Sequence, residues 1–148
     1  MNFADLKLIL VPTDFSESSE VALRAAVQFA KAFHAAIEVF HVDVDPSIVL
    51  PPPLDTITLP RLFERVVAET STRLDAIVAD VRKAGVTCSS AEEFGRSHVA
   101  IVERARAANA GLIVMGIHGK HTLLAGVAEK VVQHASCAVL VVPAAPPA

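Results

Sequence analysis

The stretch from residue 112 to residue 119, Leu-Ile-Val-Met-Gly-Ile-His-Gly, constrains the fold more than any other part of the chain. Its four leading apolar residues predict a strand buried on both faces, as in a parallel sheet covered by helices. Gly116 and Gly119 follow that run, where glycine lets a chain turn sharply and lets a ligand approach the backbone. Because ligands of open α/β sheets bind beyond the carboxyl ends of the strands, Gly116 to Gly119 is the first candidate for a site.

Apolar strands alternate with amphipathic helices along the whole chain. The predicted strands are Leu6 to Val11, Ile37 to Val42, Val86 to Phe94, the run from Leu112, and Ala138 to Val142. The predicted helices are Val21 to Phe33, Pro60 to about Gly85, a third capped by Ser97, and Gly126 to His134. This repetition predicts an α/β fold: an open five-stranded parallel sheet in the order 3-2-1-4-5, with helices on both faces. The polar tip of strand one and the glycine tip of strand four then meet at the switch point.

Composition narrows the class of protein. The chain has 148 residues, 53% of them hydrophobic, which fits a single domain spanning 1–148. The two cysteines, Cys88 and Cys137, lie far apart without metal-ligand spacing and are predicted to be reduced, buried thiols of a cytoplasmic protein. A net charge of −3 without a basic cluster argues against nucleic acid as a partner. We find no signal peptide and no apolar run long enough to span a membrane.

Four segments together resemble the universal stress protein family. They are Val-Pro-Thr-Asp-Phe-Ser-Glu-Ser-Ser at 11–19, His-Val-Asp at 41–43, the stretch at 112–119, and Val-Ala-Glu-Lys-Val-Val-Gln-His-Ala-Ser-Cys-Ala-Val-Leu-Val-Val at 127–142. The match covers nearly the whole chain in order. The resemblance implies a cytoplasmic stress-response protein with this strand order. It also implies a homodimer, often through paired last strands, and the apolar edge strand Ala138 to Val142 favours such pairing.

Many members of that family bind ATP, and others do not. The resemblance therefore implies ATP or another adenine nucleotide as the ligand, with Mg²⁺ beside the phosphates. It places Pro12 and Thr13 under the nucleoside, Asp14 at the ribose and the backbone of Val42 at the adenine edge. The full set of residues implied for the site is Pro12, Thr13, Asp14, Val42, Met115, Gly116, His118, Gly119, Gly126 and Val127.

The phosphate half of the motif departs from the family. Nucleotide-binding members carry Gly-x-x-Gly, nine further residues, and then Gly-Ser or Gly-Thr at the start of the last helix. Here Gly116 and Gly119 supply the first pair, but Ala125 and Gly126 stand at the second, with five residues between Gly119 and Ala125. A helix N-terminus still offers N–H donors to an anion, and glycine is an acceptable N-cap. The loop is four residues short and lacks its hydroxyl, which predicts weakened or altered phosphate recognition, suited to fewer phosphates.

Several alternatives stay open at this stage. Asp14 and Ser16 are both candidate N-caps of the first helix, so Asp14 could be purely structural. His118 and His121 could hold a metal ion, but a solvated polar loop is favoured because no third ligand is evident. We expect a nucleotide-binding protein without turnover, and no enzyme. A dimeric interaction module that has lost the nucleotide is the second hypothesis. A slow ATPase or phosphotransferase ranks last, since it needs a base and bound Mg²⁺ near the phosphates.

Overall fold

The computed structural model describes residues 2–45, 58–117 and 126–144. After a short 3₁₀ turn at Phe3–Asp5, strands and helices alternate. The strands are β1 (Leu8–Pro12), β2 (Ala36–Asp43), β3 (Cys88–Phe94), β4 (Leu112–Ile117) and β5 (Ala138–Pro143). The helices are α1 (Glu17–Phe33), α2 (Thr58–Lys83), α3 (Ser97–Ala107) and α4 (Val127–His134). Most of the proline-rich connection predicted for 46–60 lies outside the described residues.

The sheet confirms the predicted fold class and strand order. All neighbouring strands are parallel, and their order is β3-β2-β1-β4-β5. β1 pairs with β2 on one side, with Leu8 opposite Ala36, and with β4 on the other, with Ile9 opposite Leu112. β1 and β4 are thus the strands whose connections leave in opposite directions, and the sheet has its switch point between them. The polar run of β3 lies at one edge, as predicted.

Helices cover both faces of the sheet, and each face has its own core. Along β1, Ile9 and Val11 face one way and pack with apolar residues of α1 and α2. Leu10 between them faces the other way and packs with α3 and α4. Because strand side chains alternate between faces, a strand buried on both sides must be apolar at every position. Ile9, Leu10 and Val11 are each fully buried, which explains the unbroken apolar run of this strand.

Several predicted boundaries need correction. β1 begins at Leu8 rather than Leu6 and includes Pro12. α1 begins one turn earlier than the apolar period indicated, because Ser16 caps it through a bond from the Ser19 N–H. Ser97 is the first residue of α3 instead of its cap; the cap position is taken by Arg96, which makes no side-chain capping bond. Local capping chemistry decides helix ends, and several polar residues in a row offer competing choices.

The two cysteines are free thiols, as predicted, but they differ in burial. Cys88 is buried in β3, and burial raises the pKa of its thiol to about 11 against an opposing effect of Arg82. Cys137 is only half-buried, which corrects the prediction that it is buried, although burial raises its pKa as well. None of the helices in the described part of the chain combines the length and apolar content that a membrane span requires.

Candidate functional site

A cleft of about 710 Å³ opens at the carboxyl ends of β1, β2 and β4, on the side of the sheet covered by α3 and α4. All eight predicted site residues that the structure describes line this cleft: Pro12, Thr13, Asp14, Val42, Met115, Gly116, Gly126 and Val127. The other two predicted residues, His118 and Gly119, lie outside the described residues, as do His121 and the shortened loop. Residues from four separate parts of the sequence therefore meet at the switch point, where α/β sheets bind their ligands.

The turn between β1 and α1 forms one wall of the cleft and satisfies its own hydrogen bonds. The carboxylate Oδ1 of Asp14 accepts from the Ser16 N–H at 3.0 Å and from the Ser19 hydroxyl at 2.5 Å. The Ser19 hydroxyl oxygen in turn accepts from the Asp14 N–H at 3.1 Å. The Phe15 N–H donates to the hydroxyl of Thr13 at 3.0 Å. Asp14 thus helps to begin the helix while lining the cleft, so its structural role and a ligand contact are compatible.

The backbone of Val42 faces the space beyond the end of β1. Along β2, the N–H of Ala36 and the C=O of Phe40 bond to the β1 side, to Lys7 and Thr13 respectively. Ile37, one residue out of phase, bonds to the β3 side instead. Because the bonding direction alternates along a strand in a parallel ladder, Val42 is in phase with Phe40. Its N–H and C=O therefore point into the cleft, presenting one donor beside one acceptor.

Gly116 has a structural role that the sequence did not reveal. It lies within β4 and does not turn the chain, which corrects the expectation that it follows the strand. A Cβ at this position would lie 2.4 Å from the carbonyl oxygen of Ser18 in the first turn of α1. Glycine is needed because α1 approaches β4 closely here. The sequence signal of a glycine after an apolar run cannot separate close helix packing from ligand approach.

The start of α4 forms the opposite wall of the cleft. Gly126 is its N-cap with φ of +92°, a left-handed conformation that glycine adopts without strain. Gly126 has no side chain to accept from the first N–H groups of the helix, and Val127 and Ala128 line the cleft. Glu129 lines it as well, in the first turn. The sequence reading missed Glu129 because an acidic residue in a first turn is ordinary helix chemistry.

His98, at the start of α3, lies near basic residues of α3 and α4. The pKa of His98 is lowered by partial burial and by the charges of Lys130, Arg96 and His134, in that order. Arg96 is the N-cap of α3, whereas Lys130 lies within α4 and His134 is its last residue. In the part of the chain that is described, no three His, Cys, Asp or Glu side chains are arranged to hold a metal ion.

The chain is similar to known proteins over almost its full length. The model of the universal stress protein family matches residues 6–143. Universal stress protein MJ0531 of Methanocaldococcus jannaschii is 35% identical over 141 residues, covering 92% of this chain and 81% of that protein.

Solved structures share the fold. The structure of the hypothetical protein MJ0577 superimposes with a TM-score of 0.81 at 27% identity, covering 96% of this chain and 99% of the other. MJ0577 of Methanocaldococcus jannaschii is itself named a universal stress protein. A universal stress protein solved in complex with cAMP superimposes with a TM-score of 0.71 at 24% identity, covering 95% and 98%. The family model and the MJ0531 similarity, joined to the strand order, place this chain in the universal stress protein family.

Proposed function

We propose that this universal stress protein binds an adenine nucleotide in the cleft between β1 and β4, and that it does so without turnover. The observation that carries the proposal is the convergence of eight predicted site residues on one cleft at the switch point. Two structural neighbours support the ligand class: one was solved with cAMP and another, from Archaeoglobus fulgidus, with dAMP. Both ligands are adenine nucleotides with a single phosphate.

The half of the cleft where we place the nucleoside presents more groups suited to its part of the ligand than the half where we place the phosphates. The paired donor and acceptor of the Val42 backbone match the acceptor N1 and the donor amino group of adenine. Pro12, Thr13 and Asp14 line the same cleft, and we assign Pro12 and Thr13 to its floor and the Asp14 carboxylate to the ribose hydroxyls.

The other half of the cleft, at the start of α4, favours a ligand that carries few phosphates. The start of α4 offers N–H donors and the positive end of a short helix dipole, which suit an anion. Glu129 in the same turn brings a negative charge to the cleft lining, which opposes the accumulation of phosphate charge. The five-residue spacing between Gly119 and Ala125 also leaves fewer backbone donors than the family motif provides. We therefore expect AMP to bind at least as tightly as ATP.

Calorimetric titration with adenosine, AMP, ADP and ATP, with and without Mg²⁺, tests this proposal. We expect adenosine and AMP to bind with similar affinity and the added phosphates to contribute little. Tight, Mg²⁺-dependent preference for ATP would overturn the weakened phosphate site. Failure of all four ligands to bind would overturn nucleotide binding and favour the interaction module. Release of inorganic phosphate from ATP by the pure protein would overturn binding without turnover.

A homodimer through β5 is part of the same proposal. β5 is an edge strand, and its residues from Ala138 to Val142 are only partly covered within one chain. An apolar edge with unpaired backbone groups favours pairing with a second copy. Sedimentation equilibrium at micromolar concentration should give twice the chain mass of 15.6 kDa. A monomer at that concentration would contradict this part of the proposal. The cytoplasmic location stays a prediction from the sequence.

A further inference from the structure

Two carboxyl groups contact each other behind the cleft, on the face of the sheet that packs against α2. Asp43 ends β2 and is 3% exposed, and Glu92 of the neighbouring strand β3 is half-buried and close enough for Asp43 to raise its pKa. Each group has one buried oxygen, Oδ2 of Asp43 and Oε2 of Glu92, without a hydrogen-bond partner among the described residues. Two carboxylates at such a site cannot both be ionised without strong repulsion. One proton held between the two groups gives both unpartnered oxygens a bond.

His41 joins the same cluster to the β1–α1 turn. Its Nδ1 lies 2.7 Å from the carbonyl oxygen of Thr13, which only accepts, so Nδ1 carries a hydrogen. Its Nε2 lies 3.3 Å from Oδ1 of Asp43. The Thr70 hydroxyl of α2 donates to this Oδ1, at 2.8 Å. His41 and Thr70 therefore tie Asp43 to the turn and to α2.

The cluster holds the turn that forms one wall of the cleft. The bond from His41 fixes the carbonyl of Thr13, and the His41 ring packs against Phe15 with centroids 4.6 Å apart. Phe15 has φ of +65°, which is strained for a bulky side chain. Arg73 of α2 lies over the Phe15 ring, with its Cζ 5.0 Å from the ring centroid. A strained residue keeps its conformation only when its surroundings hold it, and here His41 and Arg73 do so.

We propose that the His41–Asp43–Glu92 cluster is a proton-binding site that positions the β1–α1 turn, so that loss of its shared proton weakens ligand binding in the cleft. This inference rests on the proposed function for the identity of the ligand. The groups that face the cluster come from every element packed against it. β3 supplies Glu92, α2 supplies Thr70 and Arg73, the turn supplies the Thr13 carbonyl and Phe15, and Asp45 lies two residues beyond Asp43.

Whether ligand affinity rises or falls with pH depends on which protonation state of the cluster holds the β1–α1 turn in place. Burial, the hydrogen bond to Asp43 and its charge raise the pKa of Glu92 to about 7. Below that pH the shared proton joins β2 to β3. Above it, two adjacent negative charges repel each other and displace Asp43, the carboxylate 3.3 Å from His41 Nε2, which loosens the hold of His41 on the Thr13 carbonyl. Ligand affinity is therefore expected to fall as the pH rises through 7. By linkage, the bound ligand must raise the affinity of the cluster for its proton.

The first measurement uses the protein without ligand. Carbon-13 NMR of the side-chain carboxyl groups, from pH 4 to 9, should show Asp43 and Glu92 responding together to one proton near neutral pH. Glu92→Gln should abolish that event, whereas Glu93→Gln, the same change on the exposed neighbouring residue, should leave it in place. Ionisation of both Asp43 and Glu92 with midpoints below pH 5 would overturn the shared proton and with it the inference.

The second measurement tests the coupling with adenosine, which carries no phosphate that titrates in this range. We expect the dissociation constant of the natural chain and of Glu93→Gln to increase about fivefold from pH 6 to pH 8.5. Glu92→Gln should bind with little change across that range. Adenosine binding that is independent of pH in the natural chain would overturn the coupling while leaving the proposed function in place. If adenosine does not bind at any pH, the proposed function fails, and the NMR titration alone decides the shared proton.

Discussion

The two walls of the cleft are both starts of helices, yet they are built in opposite ways. In the β1–α1 turn, side chains of the same turn accept the N–H groups of Asp14, Phe15, Ser16 and Ser19. At the start of α4, the N-cap residue is a glycine, which has no side chain to accept from the helix N–H groups. The first wall is held by side-chain hydrogen bonds, and the second begins with a backbone turn at glycine. The difference teaches that side chains organise the part of the cleft where we place the nucleoside, whereas backbone conformation organises the part where we place the phosphate.

The largest effect is expected where β4 and the first turn of α1 touch. Gly116→Ala would place a Cβ 2.4 Å from the Ser18 carbonyl, so the backbone of α1 or β4 must shift. We expect the free energy of unfolding to fall by about 1–3 kcal/mol, the usual range for overpacking. Urea denaturation measures this. Met115→Leu, a volume-conserving change at the neighbouring residue, should cost less. Equal stability of Gly116→Ala and the natural chain would show that the contact relaxes freely.

The next effect concerns the backbone at the start of α4. Gly126→Ala forces a residue with a Cβ into a left-handed conformation, which costs about 1–2 kcal/mol. Gly126→Asn should cost less, because asparagine tolerates this conformation better. Thermal unfolding of the three proteins should rank them as glycine, asparagine, alanine. An alanine variant as stable as the natural chain would indicate that this wall adapts its backbone without strain.

Removal of the cap of α1 should cost about 1 kcal/mol. Ser16→Ala deletes the oxygen that accepts from the Ser19 N–H at 3.3 Å. The remaining bonds of Asp14 keep the turn in place, so adenosine affinity should change by less than about threefold, roughly the factor that 0.6 kcal/mol gives. Chemical denaturation and calorimetry measure the two quantities. A large loss of affinity in this variant would mean that the turn is less independent of its cap than its hydrogen bonds suggest.

The smallest effect on stability is expected at Asp14. Asparagine keeps an oxygen that accepts from Ser16 and Ser19, so Asp14→Asn should lower the unfolding free energy by only a few tenths of a kcal/mol. The loss of charge at the ribose should nevertheless weaken adenosine binding by about tenfold, which corresponds to one charged hydrogen bond. Paired denaturation and binding curves separate the two roles. Unchanged adenosine affinity would leave Asp14 with a structural role alone.

The sequence predicted most of the fold because the strongest signals are local. Apolar runs bounded by polar tips located β1, β2, β4 and β5, and the alternation with helices led to the strand order that the structure confirms. The family resemblance supplied the site residues, and the eight that are described line one cleft because a parallel sheet brings its carboxyl ends together. Helix starts were less accurate, at α1 and α3, because neighbouring polar residues compete as caps and only the folded backbone selects one.

The long-range polar contacts were beyond any sequence reading. Glu38 interrupts an apolar strand, and its partner Arg104 lies 66 residues away, joined to it by two bonds of 2.6 and 2.8 Å. Nothing near either residue in the sequence indicates the pair. The same holds for the contact of Asp43 with Glu92, which depends on the register between β2 and β3.

The sequence by itself determined the class of fold, the order of the strands and the edge of the sheet where a ligand can bind, because hydrophobic periodicity and strand polarity follow from local chemistry. Only the tertiary structure decided why Gly116 must be glycine, where the backbone of Val42 points and which carboxyl groups lie side by side. Those properties depend on distances between segments far apart in the chain, and packing sets such distances only when the whole sheet and its helices have assembled.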